Sequence, residues 1–154
     1  MDFKIVGPRF EESAACTAIL QALPEWFGLE KAIHDYEKTI GSLPTFLARA
    51  GTQILGFLSL KQHFPQSAEI YVMAVRKEVH RRGIGRALAA AAETHAHAMG
   101  IEYLQVKTLG PSHPDNGYAR TRLFYEAVGF RPLEEFPRVW DDNNPCLVMV
   151  KRLQ

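Results

Sequence analysis

The sequence predicts one α/β domain, a sandwich of helices around a single mixed sheet. Three observations carry this. Strand-forming runs come with helical runs interleaved between them. A chain of 154 residues, 47% of them hydrophobic, holds enough apolar material for one sizeable core. No linker, repeat or low-complexity segment divides residues 1–154, which read as a single domain.

The elements follow in order. Phe3 to Val6 forms a short first strand, closed by Gly7-Pro8. Glu11 to Leu23 has helical periodicity, with Ala15, Ile19, Leu20 and Leu23 apolar, and Pro24 ends it. Trp26 to Ile40 reads as a second helix stopped by Gly41. Thr45 to Ala50 and Ile54 to Lys61 are strands of a hairpin around Gly51-Thr52. Ala68 to Val75 is the fourth strand, and a helix opened by Gly83 and Gly85 runs to about Met99, with Gly100 as its stop. Tyr103 to Leu109 is the fifth strand. The polar loop Gly110 to Gly117 precedes a helix from Tyr118 to Val128. Arg131 to Phe136 and Cys146 to Arg152 supply two last strands around a Pro/Asp/Asn-rich loop.

The most informative stretch is Glu69 to Leu88, a strand, a basic loop and a helix. A helix start offers unpaired backbone N–H groups and the positive end of a dipole. Glycines there admit a ligand to the backbone, and Arg81, Arg82 and Arg86 add positive charge. That combination suits phosphate or pyrophosphate. Two familiar phosphate loops do not fit. The ATP-type loop ends Gly-Lys-Ser/Thr, whereas Gly85 is followed by Arg86 and Ala87. The dinucleotide fingerprint wants a third Gly or Ala, where Leu88 stands, and an acidic residue further on, where Gln105 stands. A glycine-capped helix without a ligand is the plain alternative.

Two motifs in order add a more specific reading. His80-Arg-Arg-Gly83-Ile-Gly85 resembles motif A of the GNAT superfamily of N-acetyltransferases, Arg/Gln-x-x-Gly-x-Gly/Ala, with His in the first place. The overlapping frame from Arg82 to Ala87 fits without exception. Leu123-Phe-Tyr125-Glu-Ala-Val-Gly129-Phe130 resembles motif B. The resemblance covers about Pro44 to Leu153. It implies a mixed, mostly antiparallel central sheet flanked by helices, and acetyl-CoA as co-substrate without a metal. By the same resemblance the pyrophosphate lies on the backbone from Arg81 through Arg82, Gly83, Ile84 and Gly85 to Arg86, and the pantetheine runs beside Met73, Ala74 and Val75. Extended pantetheine carries amides and can pair with a strand edge as a peptide does.

The chemistry implied is acyl transfer from a thioester to an amine, which calls for a base at the amine and an acid at the departing thiolate. Glu69, at the start of its strand, matches in its distance from Gly83 the glutamate base of the histone-acetylating branch. The alternative is a solvent-facing glutamate. Tyr125 is the candidate acid, with a core aromatic beside Phe124 as the alternative. Family members often carry an asparagine one or two turns before that tyrosine. Here Tyr118 stands in the gapless register and Asn116 falls just outside the predicted helix.

Trp26, Phe27 and Trp140, together with the Gly110–Gly117 loop, are candidate acceptor contacts by position in the fold, with core packing as the other reading. His95 and His97, two apart on a helix, point to different faces, and His34, His63 and His113 sit in no ligand-spaced cluster. Cys16 and Cys146 read as small core residues in a reducing compartment. The net charge of +1 gives no reason to expect nucleic acid or an acidic membrane as partner. The start of the chain lacks a signal-peptide pattern and no apolar run spans a membrane, so the cytoplasm is the expected compartment. A small-molecule amine is the expected acceptor, a protein amine is the second, and a homodimer is compatible with the sequence. An acyl-CoA sensor without turnover, or a nucleotide-binding domain of another kind, are the other classes open at this point.

Overall fold

Among the described residues, seven strands and four α-helices follow in the order read from the sequence. The structure, a computed structural model, describes residues 2–153. The elements are β1 (Lys4–Arg9), α1 (Ser13–Gln21), α2 (Glu30–Ile40), β2 (Thr45–Ala50), β3 (Gln53–Phe64) and β4 (Ser67–Val75). They continue with α3 (Ile84–Ala98), β5 (Tyr103–Leu109), α4 (Asn116–Ala127), β6 (Arg131–Asp141) and β7 (Asn144–Arg152). All strands join one sheet in the order β1-β2-β3-β4-β5-β7-β6. Only β4 and β5 pair in parallel, and the other pairs are antiparallel. The expected mixed, mostly antiparallel sheet is present.

Each face of the sheet carries its own core. Against one face, Ile84, Leu88, Ala92 and Ala96 of α3 pack on Leu58, Leu60, Ala68, Ile70, Leu104 and Val106, with Tyr125 and Phe130 in the same cluster. The alanines let the helix lie close to the strands. Against the other face, Cys16, Ile19 and Leu20 of α1 and Ile33 and Ile40 of α2 pack on Leu47, Phe57, Val72 and Ala74. Cys16 and Cys146 are free and buried, as read from the sequence.

One irregularity governs β4. Leu60 pairs with Ile70 and Ser59 with Val72, so Tyr71 is an extra residue, a β-bulge. Before it, Ala68 and Ile70 face the α3 core; beyond it, Val72 and Ala74 face the α1–α2 core. The parallel pairing to β5 stops at the same place, its last pair being Ile70↔Val106. Beyond the bulge β4 keeps β3 as neighbour while β5 runs on with β7. The two strands part, and a cleft opens in the middle of the sheet.

Several boundaries differ from the sequence reading: β1 runs on through Gly7-Pro8 to Arg9, β3 reaches Phe64, and two further differences have clear causes. The second helix starts at Glu30, not Trp26, because Pro24 and Gly28 break the run and residues 24–26 form a turn closed by the Trp26 and Phe27 N–H groups on the Leu23 carbonyl, at 3.1 and 2.9 Å. The last two strands are longer, and the loop expected between them is a tight turn. Asp141 builds that turn by accepting from the Asn143 N–H and the Asn144 amide at 2.8 and 3.0 Å. Pro137 stays inside β6 because β6 is the sheet's edge, where a missing N–H breaks no ladder.

Candidate active site

The cleft is bounded at one end by the basic loop. Residues Lys77–Val79 form one 3-10 turn, and Arg81 and Gly83 both take left-handed conformations, φ 66° and 80°. Gly83 caps α3 without a side-chain hydrogen bond, and the first bond across it is Ala87 N–H to the Gly83 carbonyl at 3.0 Å. The N–H groups of Ile84, Gly85 and Arg86 are those an α-helix cannot pair internally. Ile84 turns its side chain into the core, whereas Arg81, Arg82 and Arg86 stay exposed. An anion would meet backbone donors with cations around them.

The two motif glycines serve different ends. A Cβ on Gly83 would stand in open space, so only the backbone conformation requires glycine there. A Cβ on Gly85 would meet the Phe124 ring at 3.2 Å, so that glycine lets α3 approach α4. Met73, on the stretch of β4 that no longer pairs with β5, lies beside the same spot, its Cε 3.8 Å from the built Cβ. At the strand end the Val75 carbonyl accepts from His80 Nε2 at 2.7 Å. His80 thus fixes the start of the loop to the strand.

Glu69 is neither at a strand start nor solvent-facing. It is the third residue of β4, with its side chain 6% exposed. Its neighbours Ala68 and Ile70 belong to the α3 core, so the carboxylate faces the α1–α2 side. Three donors approach one oxygen. His63 Nε2 lies 2.7 Å, Gln105 Nε2 3.5 Å and Lys107 Nζ 3.6 Å from Oε1. Among the described residues no such contact is made to Oε2. A buried carboxylate needs this company. It leaves one oxygen anchored and the other free. His63, six residues from Glu69 in sequence, comes beside it across the β3–β4 hairpin; as an isolated histidine it had no sequence pattern to mark it.

Tyr125 is buried, its ring edge-on to Phe124 and Phe130 at 5.4 and 5.7 Å. Burial, with smaller contributions from Tyr118 and Tyr36, holds its hydroxyl above the ordinary tyrosine range. Tyr36 is pushed up to about 12 by burial, then by Tyr71 and Glu69. Tyr118 is raised chiefly by burial, then by Tyr36 and Asp115.

The helix carrying Tyr118 and Tyr125 begins two residues earlier than expected. Asp115 caps it by accepting from the Tyr118 N–H at 3.0 Å, and Asn116 is its first residue. The preceding loop is tied to β6, where Glu135 accepts from Ser112 N–H at 3.0 Å and Ser112 Oγ at 2.6 Å. The three aromatic candidates divide. Phe27 meets Tyr36 edge-on at 6.1 Å, and Tyr36 meets Tyr71 at 5.5 Å, forming a wall on the Glu69 side. Trp26 touches His80 and the start of α4. Trp140, 47% exposed, lies on the part of β6 beyond its last regular pair before the turn, Phe136↔Cys146. Among the described residues no three His, Cys, Asp or Glu side chains converge as metal ligands would, and no helix is long and apolar enough to cross a membrane.

Comparison with known proteins bears on this geometry. Residues 42–132 match the family model for the acetyltransferase (GNAT) domain. No curated protein matches the chain in sequence. Among solved structures, a GNAT-family protein from Desulfovibrio desulfuricans is similar at a TM-score of 0.86 and 15% identity, covering 99% of this chain and 100% of its own. The ribosomal-protein-S18-alanine N-acetyltransferase of Escherichia coli gives 0.79 and 16%, covering 99% and 95%. A GNAT acetyltransferase from Elizabethkingia anophelis, solved with acetyl-CoA bound, gives 0.72 and 18%, covering 98% of each chain. With more than half its length matched by the family model, and with the opened sheet and glycine-capped helix in place, the chain belongs to the GNAT family and is an acetyltransferase.

Proposed function

We propose that the protein transfers the acetyl group of acetyl-CoA directly to a primary amine, and that the amine belongs to a small molecule. What supports this is the buried Glu69 carboxylate, held at Oε1 by His63 beside the β4–β5 cleft, together with the Tyr125 hydroxyl of α4, which burial keeps protonated. The donor enters with its pyrophosphate on the backbone from Arg81 to Arg86 and its pantetheine along Met73, Ala74 and Val75. The amine gives a proton to Oε2 of Glu69 and attacks the thioester carbon. As the tetrahedral intermediate collapses, the C–S bond breaks and the sulfur takes a proton from the Tyr125 hydroxyl. His63 holds Oε1, so the carboxylate offers Oε2 in a fixed direction.

A small acceptor is favoured by the aromatic wall of Phe27, Tyr36 and Tyr71 beside one buried carboxylate, an apolar surface with few polar groups. A net charge of +1 gives no particular reason to expect a charged polymer as acceptor. A screen of arylalkyl, aliphatic and amino-acid amines against short peptides with free N-termini tests this. Small amines should give the higher kcat/KM, and a clear preference for peptides would reverse the choice.

Two variants probe the parts separately. Gly83→Val forces a β-branched residue to φ 80°, roughly 1–2 kcal/mol of backbone strain, and should collapse the loop's N–H array. Calorimetry should show CoA binding lost while circular dichroism shows the fold kept. Gly85→Glu is the poorer test, because it would also displace Phe124. His63→Leu removes a donor to a charged acceptor, an interaction of about 1.5–3 kcal/mol. It should lower kcat about ten- to a hundredfold with the KM for acetyl-CoA unchanged, and His63→Gln, which keeps an N–H donor, should recover most of it. Equal kcat in all three proteins would remove His63 from the mechanism.

A further inference from the structure

Trp26 bridges the mouth of the cleft. On one rim its ring meets His80 edge-on, centroids 5.8 Å apart, and His80 is itself fixed to the end of β4. On the other rim the Tyr118 hydroxyl donates to the Trp26 carbonyl at 2.7 Å. There too the indole Nε1 lies 3.3 Å from where a Cβ on Gly117 would stand. One residue of the α1–α2 connection therefore touches both the basic loop and the start of α4.

We infer that Trp26 is a positioning residue for the donor, the roof over the pantetheine arm, and not a wall of the acceptor pocket. The inference rests on the reading of the basic loop as the CoA pyrophosphate site. From that loop the thioester has to reach the space between Glu69 and Tyr125, and the unpaired edge of β4 from the bulge at Tyr71 to Val75 is the path between them. A side chain in contact with both rims of that path lies across it. The arm is a run of methylenes and amides. The strand edge can pair the amides, and the methylenes need an apolar cover, which an indole face supplies. Tyr118 holds the Trp26 backbone in place, a role an asparagine at that position is too short to fill in the same way.

The chain has two tryptophans, so Trp140→Phe leaves Trp26 as sole fluorescent reporter. Titration with CoA should change its emission, and adenosine 3′,5′-bisphosphate, which lacks the arm, should leave it unchanged. Trp26→Ala keeps the carbonyl that Tyr118 bonds, and calorimetry should give about tenfold weaker CoA binding, the loss of roughly one aromatic face's apolar contact. The bisphosphate should bind it as it binds the parent. If the alanine variant does not fold, the fluorescence titration decides alone. Equal responses to both ligands, or silence while calorimetry shows CoA bound, would overturn the roof. Tighter CoA binding by Trp26→Ala would also overturn it, making the indole a plug in the channel. Absence of CoA binding by the parent protein would instead bring down the loop assignment, and this inference with it.

Discussion

Replacing Tyr125 with Phe should lower kcat by about 100- to 10,000-fold, the range for a lost proton-transfer group. The substitution deletes one oxygen and keeps the ring between Phe124 and Phe130, so acetyl-CoA affinity and the fold should change little. Steady-state kinetics with calorimetry on the same preparation separates the two effects. A kcat within threefold of the parent, roughly 0.6 kcal/mol, would take the acid role from Tyr125. The raised position of this hydroxyl has a consequence for pH. It stays protonated where an ordinary tyrosine ionises, so no alkaline fall of kcat below about pH 10 should come from Tyr125. The sign for stability follows. Tyr36, Tyr118 and Tyr125 are all raised in the folded state, so their contribution is complete below the unfolded tyrosine range, near pH 10, and is lost as pH rises above it.

Glu69→Gln should cost a similar factor, about 100- to 10,000-fold in kcat. The amide still offers an oxygen to His63. It then presents an NH2 donor where the amine has to give up its proton, which is the wrong polarity. Leucine would be the less informative change, because His63 and Lys107 would lose their common partner and the fold would suffer with the chemistry. Acetyl-CoA affinity should survive in the Gln variant. Parental kcat in that variant, with the amine saturating, would hand the proton to water or to another side chain.

The elements were legible in the sequence wherever periodicity and punctuation agreed. Thr45–Ala50 and Tyr103–Leu109 stand as read, because each is a β-forming run closed by a turn or a glycine. The strand–loop–helix around Gly83 was legible for the same reason, since glycine and arginine announce a phosphate site locally. What was not legible depends on partners distant in sequence. The bulge at Tyr71 exists only against Ser59 and Leu60 of β3, and it decides which face each residue of β4 presents. Glu69 reads alone as a charged residue near a strand end. Only the sheet places His63, Gln105 and Lys107 on one of its oxygens. The extent of β6 was hidden by Pro137, which is harmless on an edge strand, and edge position follows from topology, not from local pattern. Trp26 and Phe27 looked like one aromatic pair, yet the turn at 24–26 sends one to His80 and the other to Tyr36.

The most direct test of acetyl transfer is release of free thiol from acetyl-CoA, followed continuously with and without amine. A saturable rise in thiol that requires the amine, falls in both Glu69→Gln and Tyr125→Phe, and is matched mole for mole by N-acetylated product is the predicted result. Tight acetyl-CoA binding with no amine-dependent thiol release across small amines and peptides would contradict the account, and would make the protein a holder of the thioester that does not turn it over.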